Sequence, residues 1–273
     1  MPEGDTVFLA GRRLDDALAG GLLVRAELRH PKLVGARLTG VTVLGVRTVG
    51  KHLFTRFGDG TSLHSHFKMD GMWHLYRAGD RWRGRTSDIR AILATDTWSA
   101  VGFRLHDLAL VHTDREADIV GHLGPDLLSD GWGDEMAATA LRNLAGGPER
   151  EIASALADQR VMAGVGNLYK AEVCFMLGVS PWTPVGDVPD ERLARAVALS
   201  HTLLRRNAWH PEQSTTGEMA PGRQHWVYQR TGKPCLRCGT PVRSAEQGGW
   251  VPARYTWFCP KCQAGPGPGT MGA

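Results

Sequence analysis

Four cysteines near the end of the chain constrain its fold more than any other feature. They fall as Cys235-x2-Cys238, then 20 residues, then Cys259-x2-Cys262, the spacing of a paired-knuckle metal site. Each Cys-x-x-Cys turn presents two thiolates, and two such turns close a tetrahedral zinc site. Disulfides are the alternative, which a reducing compartment disfavours. Four thiolates leave no open coordination position, so one zinc ion is expected to hold the fold and take no part in chemistry. The fifth cysteine, Cys174, lies in an apolar helical stretch and reads as a core residue.

A chain of 273 residues fits two domains, or one large domain with an appendage. The formal net charge is +4 and 42% of residues are hydrophobic, enough for a core. The sequence pI of about 8.9 hints at a polyanionic partner without establishing one. Only six of the 32 basic residues are lysine. Arginine suits bidentate phosphate contacts, although a GC-rich genome accounts for it equally well. No charged segment followed by an apolar run opens the chain, and no apolar run approaches about 18 residues, so a soluble, cytoplasmic protein is expected.

The hydrophobic period changes along the chain. Residues 5–19 carry apolar side chains at helical intervals and end at Gly20-Gly21. The segments 41–46, 52–57, 61–67, 71–76, 88–93 and 100–105 read as short strands of a sandwich or barrel. Glycine and aspartate accumulate over 121–133, the expected hinge. Helical patterns follow over 135–144, 149–157 (after Pro148), 167–177 and 190–206, with a Gly/Ser/Thr/Pro-rich loop at 211–222. The expected organisation is α+β and multidomain: a β-sandwich with an N-terminal helix (1–120), a hinge (121–133), a helical domain (134–222), a zinc hairpin (223–263) and a disordered tail (264–273).

The chain opens Met1-Pro2-Glu3-Gly4-Asp5-Thr6. Removal of Met1 ahead of the small Pro2 would leave a secondary α-amine. An α-amino group titrates at about 7.7–8.0, against about 10.4 for lysine, so much more of it is a free nucleophile near neutrality. Such an amine can attack a carbonyl carbon and form an iminium. Glu3 then supplies a carboxyl for acid–base work, or serves only to favour the start of the first helix. Taken alone, Pro2 is as well explained as a tolerated terminal residue.

Four features in this order resemble the Fpg/Nei family of base-excision DNA glycosylases. They are the Pro2-Glu3 start, Lys51 within Val49-Gly50-Lys51-His52, the run Gly164-Val165-Gly166-Asn167-Leu168-Tyr169, and the cysteine quartet with Arg254 ahead of its second pair. The resemblance covers residues 1–263, and Gly4-Asp5-Thr6 is similar to the endonuclease VIII (Nei) branch. It implies a helix–two-turns–helix element around Gly164–Asn167 and a β-hairpin zinc finger. It also implies a bifunctional glycosylase/AP lyase acting on duplex DNA with oxidised bases or abasic sites, as a monomer.

By that resemblance, Pro2 attacks C1′ of a flipped nucleotide, Glu3 opens the sugar ring or shuttles protons, and β,δ-elimination nicks the strand. Lys51, Gly166, Asn167 and Arg254 would contact phosphate, with Lys51 and Arg254 assisting catalysis. Each has a plainer reading: a solvated lysine, an Asn167 that caps its helix, a surface arginine. Tyr228-Gln229-Arg230 before Gly232-Lys233-Pro234-Cys235 also follows the family pattern. In His66-Phe67-Lys68-Met69-Asp70-Gly71, Met69 fits an apolar wedge into the duplex, or else an ordinary core residue. The formamidopyrimidine branch carries Asp-x-Arg-Arg-Phe-Gly near a position where this chain has Arg104-Leu105-His106-Asp107. Oxidised pyrimidines are therefore the expected substrates. Preference for oxidised purines, or a non-catalytic zinc-dependent DNA-binding role, are the competing readings.

Overall fold

The computed structural model describes residues 2–248 and 254–269. The chain divides into two compact units, Met1–His122 and Leu123–Ala273. The expected α+β class is borne out: an N-terminal helix with two antiparallel sheets, then a helical region and a terminal hairpin.

The first unit opens with α1 (Gly4–Leu18). Its strands are β1 (Arg25–Leu28), β2 (Val43–Val49), β3 (His52–Phe57), β4 (Thr61–His66), β5 (Met72–Arg77), β6 (Ile89–Ala94), β7 (Trp98–Phe103) and β8 (Asp107–His112), followed by a single turn of helix, α2 (Ala117–Val120). They form two four-stranded sheets, ordered β1-β6-β7-β5 and β2-β3-β4-β8. Val7, Leu14 and Leu18 of α1 pack with Leu53, Phe57, Leu63, Leu93, Ala100 and Leu105 in one buried cluster. Sequence periodicity missed β1 and β8, and both are edge strands. β1 reads Arg-Ala-Glu-Leu with no fully buried residue, and β8 buries only Leu108. Four residues with two charges are too few for β1 to show a period, and β8 carries the unbroken apolar run Leu108-Ala109-Leu110-Val111, which does not alternate.

The sheet β2-β3-β4-β8 also gathers a charged cluster. Glu116, nearly buried, accepts Arg56 Nη2 at 2.6 Å, Ser62 Oγ at 2.7 Å and Arg47 Nη1 at 3.3 Å. One carboxylate thereby ties β2, β3 and β4 to the segment that leaves β8.

The second unit contains α3 (Asp134–Ala145), α4 (Ile152–Ala157), α5 (Asn167–Leu177) and α6 (Asp190–Asn207), then the hairpin β9 (Arg243–Gln247) and β10 (Arg254–Phe258). Helix α4 starts later than its proline suggested, because Glu151 is extended and bridges to Pro184. Helix α5 is buried nearly all round and ends at Gly178, whose φ of 68° turns the chain so that the Val179 N–H reaches back to the Cys174 carbonyl at 3.0 Å. Phe175 and Ala171 pack with Val227, Cys235, Val242 and Cys259, so α5 forms one wall of the hairpin's core. Of the expected disordered tail, residues 270–273 lie outside the described residues, and the Pro266 carbonyl accepts Ser180 Oγ at 2.6 Å. Among the described residues no helix is long and apolar enough to cross a membrane.

Three histidines meet on β3 and β4. His52 faces His66 in the strand register, and His52 Nδ1 lies 2.9 Å from His64 Nε2. Burial, then the neighbouring imidazoles, lowers His52 to about 3. Burial, then Lys68, lowers His66 to about 4. A group depressed in the folded state contributes stability that is complete above its unfolded value of about 6.5 and is lost as pH falls from there toward the folded value. Thermal stability should therefore drop between pH 6.5 and 4, at most by about 1.4 kcal/mol per pH unit for each imidazole. Melting curves of wild type and His66→Asn across that range check this. Identical pH slopes for the two would contradict it.

Candidate functional site

Pro2 and Glu3 stand immediately before α1. Glu3 occupies the N-cap position in extended conformation, is 1% exposed, and makes no side-chain capping bond. The capping alternative for its carboxylate therefore lacks the bond that would define it. Asp5 in the first turn complements the helix dipole instead.

Lys51 lies in the two-residue turn joining β2 to β3, after Gly50 at φ 56°. Helix α1 runs along this hairpin in a readable register. Asp15 Oδ1 accepts the Val46 amide at 2.7 Å, and a side chain on Gly11 would collide with Thr48 at 2.4 Å. Four residues of helix thus match two of strand, as expected from rises of about 1.5 and 3.3 Å per residue. Extending that match, the start of α1 and the Lys51 turn fall at the same end of the layer. Gly11 makes the approach possible, since any Cβ there meets the β2 side chain.

The segment 67–71 connects β4 to β5. Met69 on it is 63% exposed, which removes the reading of Met69 as a core residue. Its neighbours are fixed: Lys68 Nζ pairs with Asp107 Oδ2 at 2.9 Å, and Arg104 Nε pairs with Asp70 Oδ2 at 3.1 Å. Lys68 and Arg104 adopt φ of 52° and 49°. The connection from β7 to β8 comprises only residues 104–106.

In the second unit the turn between α4 and α5 is built around Gln159. Its amide donates to the Ala157 and Val165 carbonyls at 2.9 and 2.7 Å, while its oxygen accepts Gly164 N at 3.0 Å. Gly164 has φ 116°, a value that side chains strain to reach. Asp158, bonded above all by Arg160, is held down at about 2 and anchors the same turn. Gly166 caps α5, and Asn167 does not: Asn167 Nδ2 donates to the Tyr255 carbonyl at 3.1 Å, and its buried Oδ1 has no hydrogen-bond partner. Flipping the amide would set two acceptors against each other at Tyr255, so the bond fixes its orientation. Arg254, the first residue of β10, pairs with Gln247 in register. The hairpin tip beyond it, residues 249–253, lies outside the described residues. Gly166 and Asn167 thus lie close to the Arg254–Tyr255 end of the hairpin.

Two residues of α5 escaped the sequence reading. The buried Glu172 carboxylate accepts the backbone N–H groups of Trp226, Val227 and Tyr228, each at 2.8 Å, and the Thr215 hydroxyl. Lys170, also buried, donates from Nζ to Gln247 Oε1 at 3.2 Å. Isolated charges inside the apolar run Leu168–Leu177 were the signal available. The partners, some 45 to 80 residues away, were not.

The sulfur atoms of Cys235, Cys238, Cys259 and Cys262 all lie within 4.8 Å of one another. Cys238–Cys259 and Cys235–Cys262 measure 3.5 and 4.0 Å, far from disulfide length. Tetrahedral zinc with Zn–S of about 2.3 Å sets sulfurs about 3.8 Å apart, so the quartet fits that ion. Cys174, fully buried, has its thiol pushed up to about 12 by desolvation, which suits a core residue and not a nucleophile.

Comparison with known proteins accounts for both ends of the chain. Residues 1–120 match the family described as formamidopyrimidine-DNA glycosylase N-terminal domain, and residues 232–265 match the zinc finger found in FPG and IleRS. The chain is 50% identical to a probable endonuclease 8 2 of Streptomyces coelicolor, covering 98% of this chain and 96% of that one. It is 42% identical to the DNA-(apurinic or apyrimidinic site) lyase Nei2 of Mycolicibacterium smegmatis, covering 96% and 99%. A Lactococcus lactis formamidopyrimidine DNA glycosylase, solved non-covalently bound to DNA containing an AP site, shares the fold with a TM-score of 0.79 at 21% identity, covering 97% and 100% of the two chains. Likeness at half identity over nearly the full length of both chains, on the expected fold and with the expected cysteine quartet, shows that this chain belongs to the Fpg/Nei family of DNA glycosylases and AP lyases.

Proposed function

We propose that this chain is a bifunctional DNA glycosylase/AP lyase that removes oxidised bases, chiefly pyrimidines, from duplex DNA and nicks the strand by β,δ-elimination. The observation that carries the reading is the register of α1 on β2, which brings Pro2-Glu3 and the Lys51 turn to one end of the layer.

With Met1 removed, the Pro2 nitrogen attacks C1′ of a flipped nucleotide and the base departs with the bonding electron pair. The resulting iminium acidifies the sugar proton at C2′. Loss of that proton expels the 3′ phosphate, and a second elimination expels the 5′ phosphate. Glu3 protonates the ring oxygen as the sugar opens and shuttles protons afterwards. Lys51 acts as a point charge on a phosphate. Gly166 and Asn167 at the start of α5, with Arg254 on the hairpin, take backbone phosphates near the lesion and read no base edges. Met69 fills the space the extruded base leaves.

One zinc ion held by Cys235, Cys238, Cys259 and Cys262 shapes the hairpin; its closed thiolate set leaves it no role in the reaction. Cys238→Ser or Cys262→Ser should then unfold the hairpin and weaken DNA binding at least tenfold, since metal affinity in such modules is folding free energy. Metal analysis with binding titrations checks this, and full binding by verified zinc-free protein would refute it.

The amine chemistry has its own test. Borohydride added during turnover of abasic DNA should link the chain to DNA through Pro2, on a protein whose intact mass lacks Met1. Active enzyme that retains Met1, or a crosslink mapped to a lysine, would sink the assignment. Trapping also separates this reading from a non-catalytic zinc-dependent DNA-binding protein, which forms no adduct.

Lesion class follows from the void-filling loops. The three-residue connection 104–106 is too short to supply a second long insertion beside Met69, so the base opposite a flipped purine would be poorly supported. Thymine glycol and 5-hydroxyuracil should be excised faster than 8-oxoguanine opposite cytosine in single-turnover assays. The reverse order would move the chain to the oxidised-purine reading and leave the lyase chemistry intact.

A further inference from the structure

The segment from Arg77 to Arg90, which joins β5 to β6, holds five arginines (Arg77, Arg81, Arg83, Arg85, Arg90) against two aspartates, in a chain whose whole formal charge is +4. Both aspartates are already engaged. Asp80 Oδ2 accepts the Arg77 amide at 3.2 Å, and Asp88 Oδ2 pairs with Arg104 Nη1 at 3.3 Å. Arg90 turns its guanidinium to the Ser87 carbonyl at 2.6 Å. Arg81, Arg83 and Arg85 are exposed, and among the described residues none of the three has a carboxylate within ion-pair distance.

These guanidiniums sit on a strap that is fixed in place. Trp82 packs on the buried cluster of Ile89, Ile92, Val101 and Phe103. The Tyr76 hydroxyl accepts the Arg83 amide at 3.2 Å. At Gly84, φ is 117° and an added Cβ would lie 2.9 Å from the Phe103 ring, so only glycine brings the strap this close to β7.

Strand register fixes where the strap emerges. Met72 of β5 and Ile89 of β6 both pair with Phe103 of β7. The segment before β5 and the segment after β7 therefore leave the sheet at one end, and the strap, which starts at the opposite end beside Arg77 and Trp98, runs the length of the sheet to arrive there before Ile89. Arg104 joins them: its amide donates to the Asp88 carbonyl at 2.7 Å, and its Nε donates to the Asp70 carbonyl at 3.1 Å. The exposed Met69 is thus one residue from a clamp whose other jaw is Asp88, the last residue of the strap.

We propose that Arg81, Arg83 and Arg85 bind DNA backbone phosphates along the flank of the sheet that leads to the Met69 loop. The inference rests on the glycosylase reading above and adds a phosphate-gripping surface to it. Exposed guanidiniums without acid partners, on a rigid segment, offer forked donors matched to phosphate oxygens and pay little ordering entropy on binding. Contacts of this kind carry no sequence information, so they should act alike on damaged and undamaged duplex.

The test uses the full-length zinc-loaded protein and two duplexes of the same sequence, one with a non-cleavable abasic analogue and one intact. Each phosphate contact contributes about 0.9 to the slope of log K against log salt. The triple substitution Arg81→Gln, Arg83→Gln, Arg85→Gln should lower that slope by about 2 to 3 units, and by the same amount on both duplexes. Triple replacement by lysine should restore most of it, and Arg83→Gln alone, the mildest change, should remove about one unit. A triple glutamine variant with wild-type melting and an unchanged slope would overturn the strap while leaving the glycosylase reading standing. Lysine variants that fare no better than glutamine would overturn it as well, because charge would then not be the cause. If wild type itself shows no salt-dependent affinity for either duplex, the glycosylase reading fails and the strap fails with it.

Discussion

The second unit depends on one buried carboxylate. Glu172 lies inside α5, a helix buried nearly all round, and holds with its two oxygens three consecutive backbone amides, those of Trp226, Val227 and Tyr228. Hydrogen bonds to a charged acceptor are worth roughly 1.5–3 kcal/mol each, and a buried amide left unpaired costs about 1–3 kcal/mol. Three donors at one acceptor group therefore make this residue far harder to replace than its solitary position suggests. The amides it holds belong to the segment that runs into Cys235, so the metal site is hung from α5 before any metal binds. Lys170, through Gln247, fixes β9 to the same helix, and Asn167, through the Tyr255 carbonyl, fixes β10. A single helix thus orients the turn, the knuckles and the hairpin strand on which Arg254 stands.

What the sequence made legible was local, and what it hid was not. Cysteine spacing reports two turns and one tetrahedron, because each pair is separated by only two residues. The glycines at 164 and 166 report a turn for the same reason. Alternation found six strands and lost β1, which is four residues long with two charges, and β8, whose run Leu108-Ala109-Leu110-Val111 is apolar without alternating. The Asn167 reading failed as a cap because the cap is Gly166, and the asparagine's partner is a carbonyl 88 residues away. Glu172, Lys170 and the histidine group on β3 and β4 were visible as letters, but their partners come from other elements, so no spacing rule could connect them.

Net charge conceals the electrostatic design in the same way. The acids of this chain are largely committed to internal work: Glu116 binds two arginines and a serine, Asp158 holds Arg150 and Arg160, Asp107 holds Lys68, and Glu172 holds backbone. A formal +4 therefore says nothing of where positive charge is offered outward. Arginines that remain without an acid, such as those of the strap, are the ones able to release counterions from DNA.

The segment carrying Met69 shows how such a surface is kept ready. Lys68 within it and Arg104 on the neighbouring β7–β8 connection hold positive φ without being glycine, a conformation that costs on the order of 1–3 kcal/mol at each. Ion pairs this exposed contribute only about 0–1 kcal/mol, so Lys68–Asp107 and Arg104–Asp70 do not offset that cost by themselves. The backbone does more: Lys68 N donates to His66 Nδ1 at 3.0 Å, Gly71 N to the Phe67 carbonyl at 2.8 Å, and Arg104 N to the Asp88 carbonyl at 2.7 Å. A side chain at Gly71 would strike the Phe67 carbonyl at 2.6 Å, so the turn closes only around glycine. Strain concentrated there, beneath an exposed methionine, is a cost with no return in the folded chain alone. On the proposed reading of Met69 as a wedge, a loop already held in this shape enters the duplex with little further loss of conformational entropy.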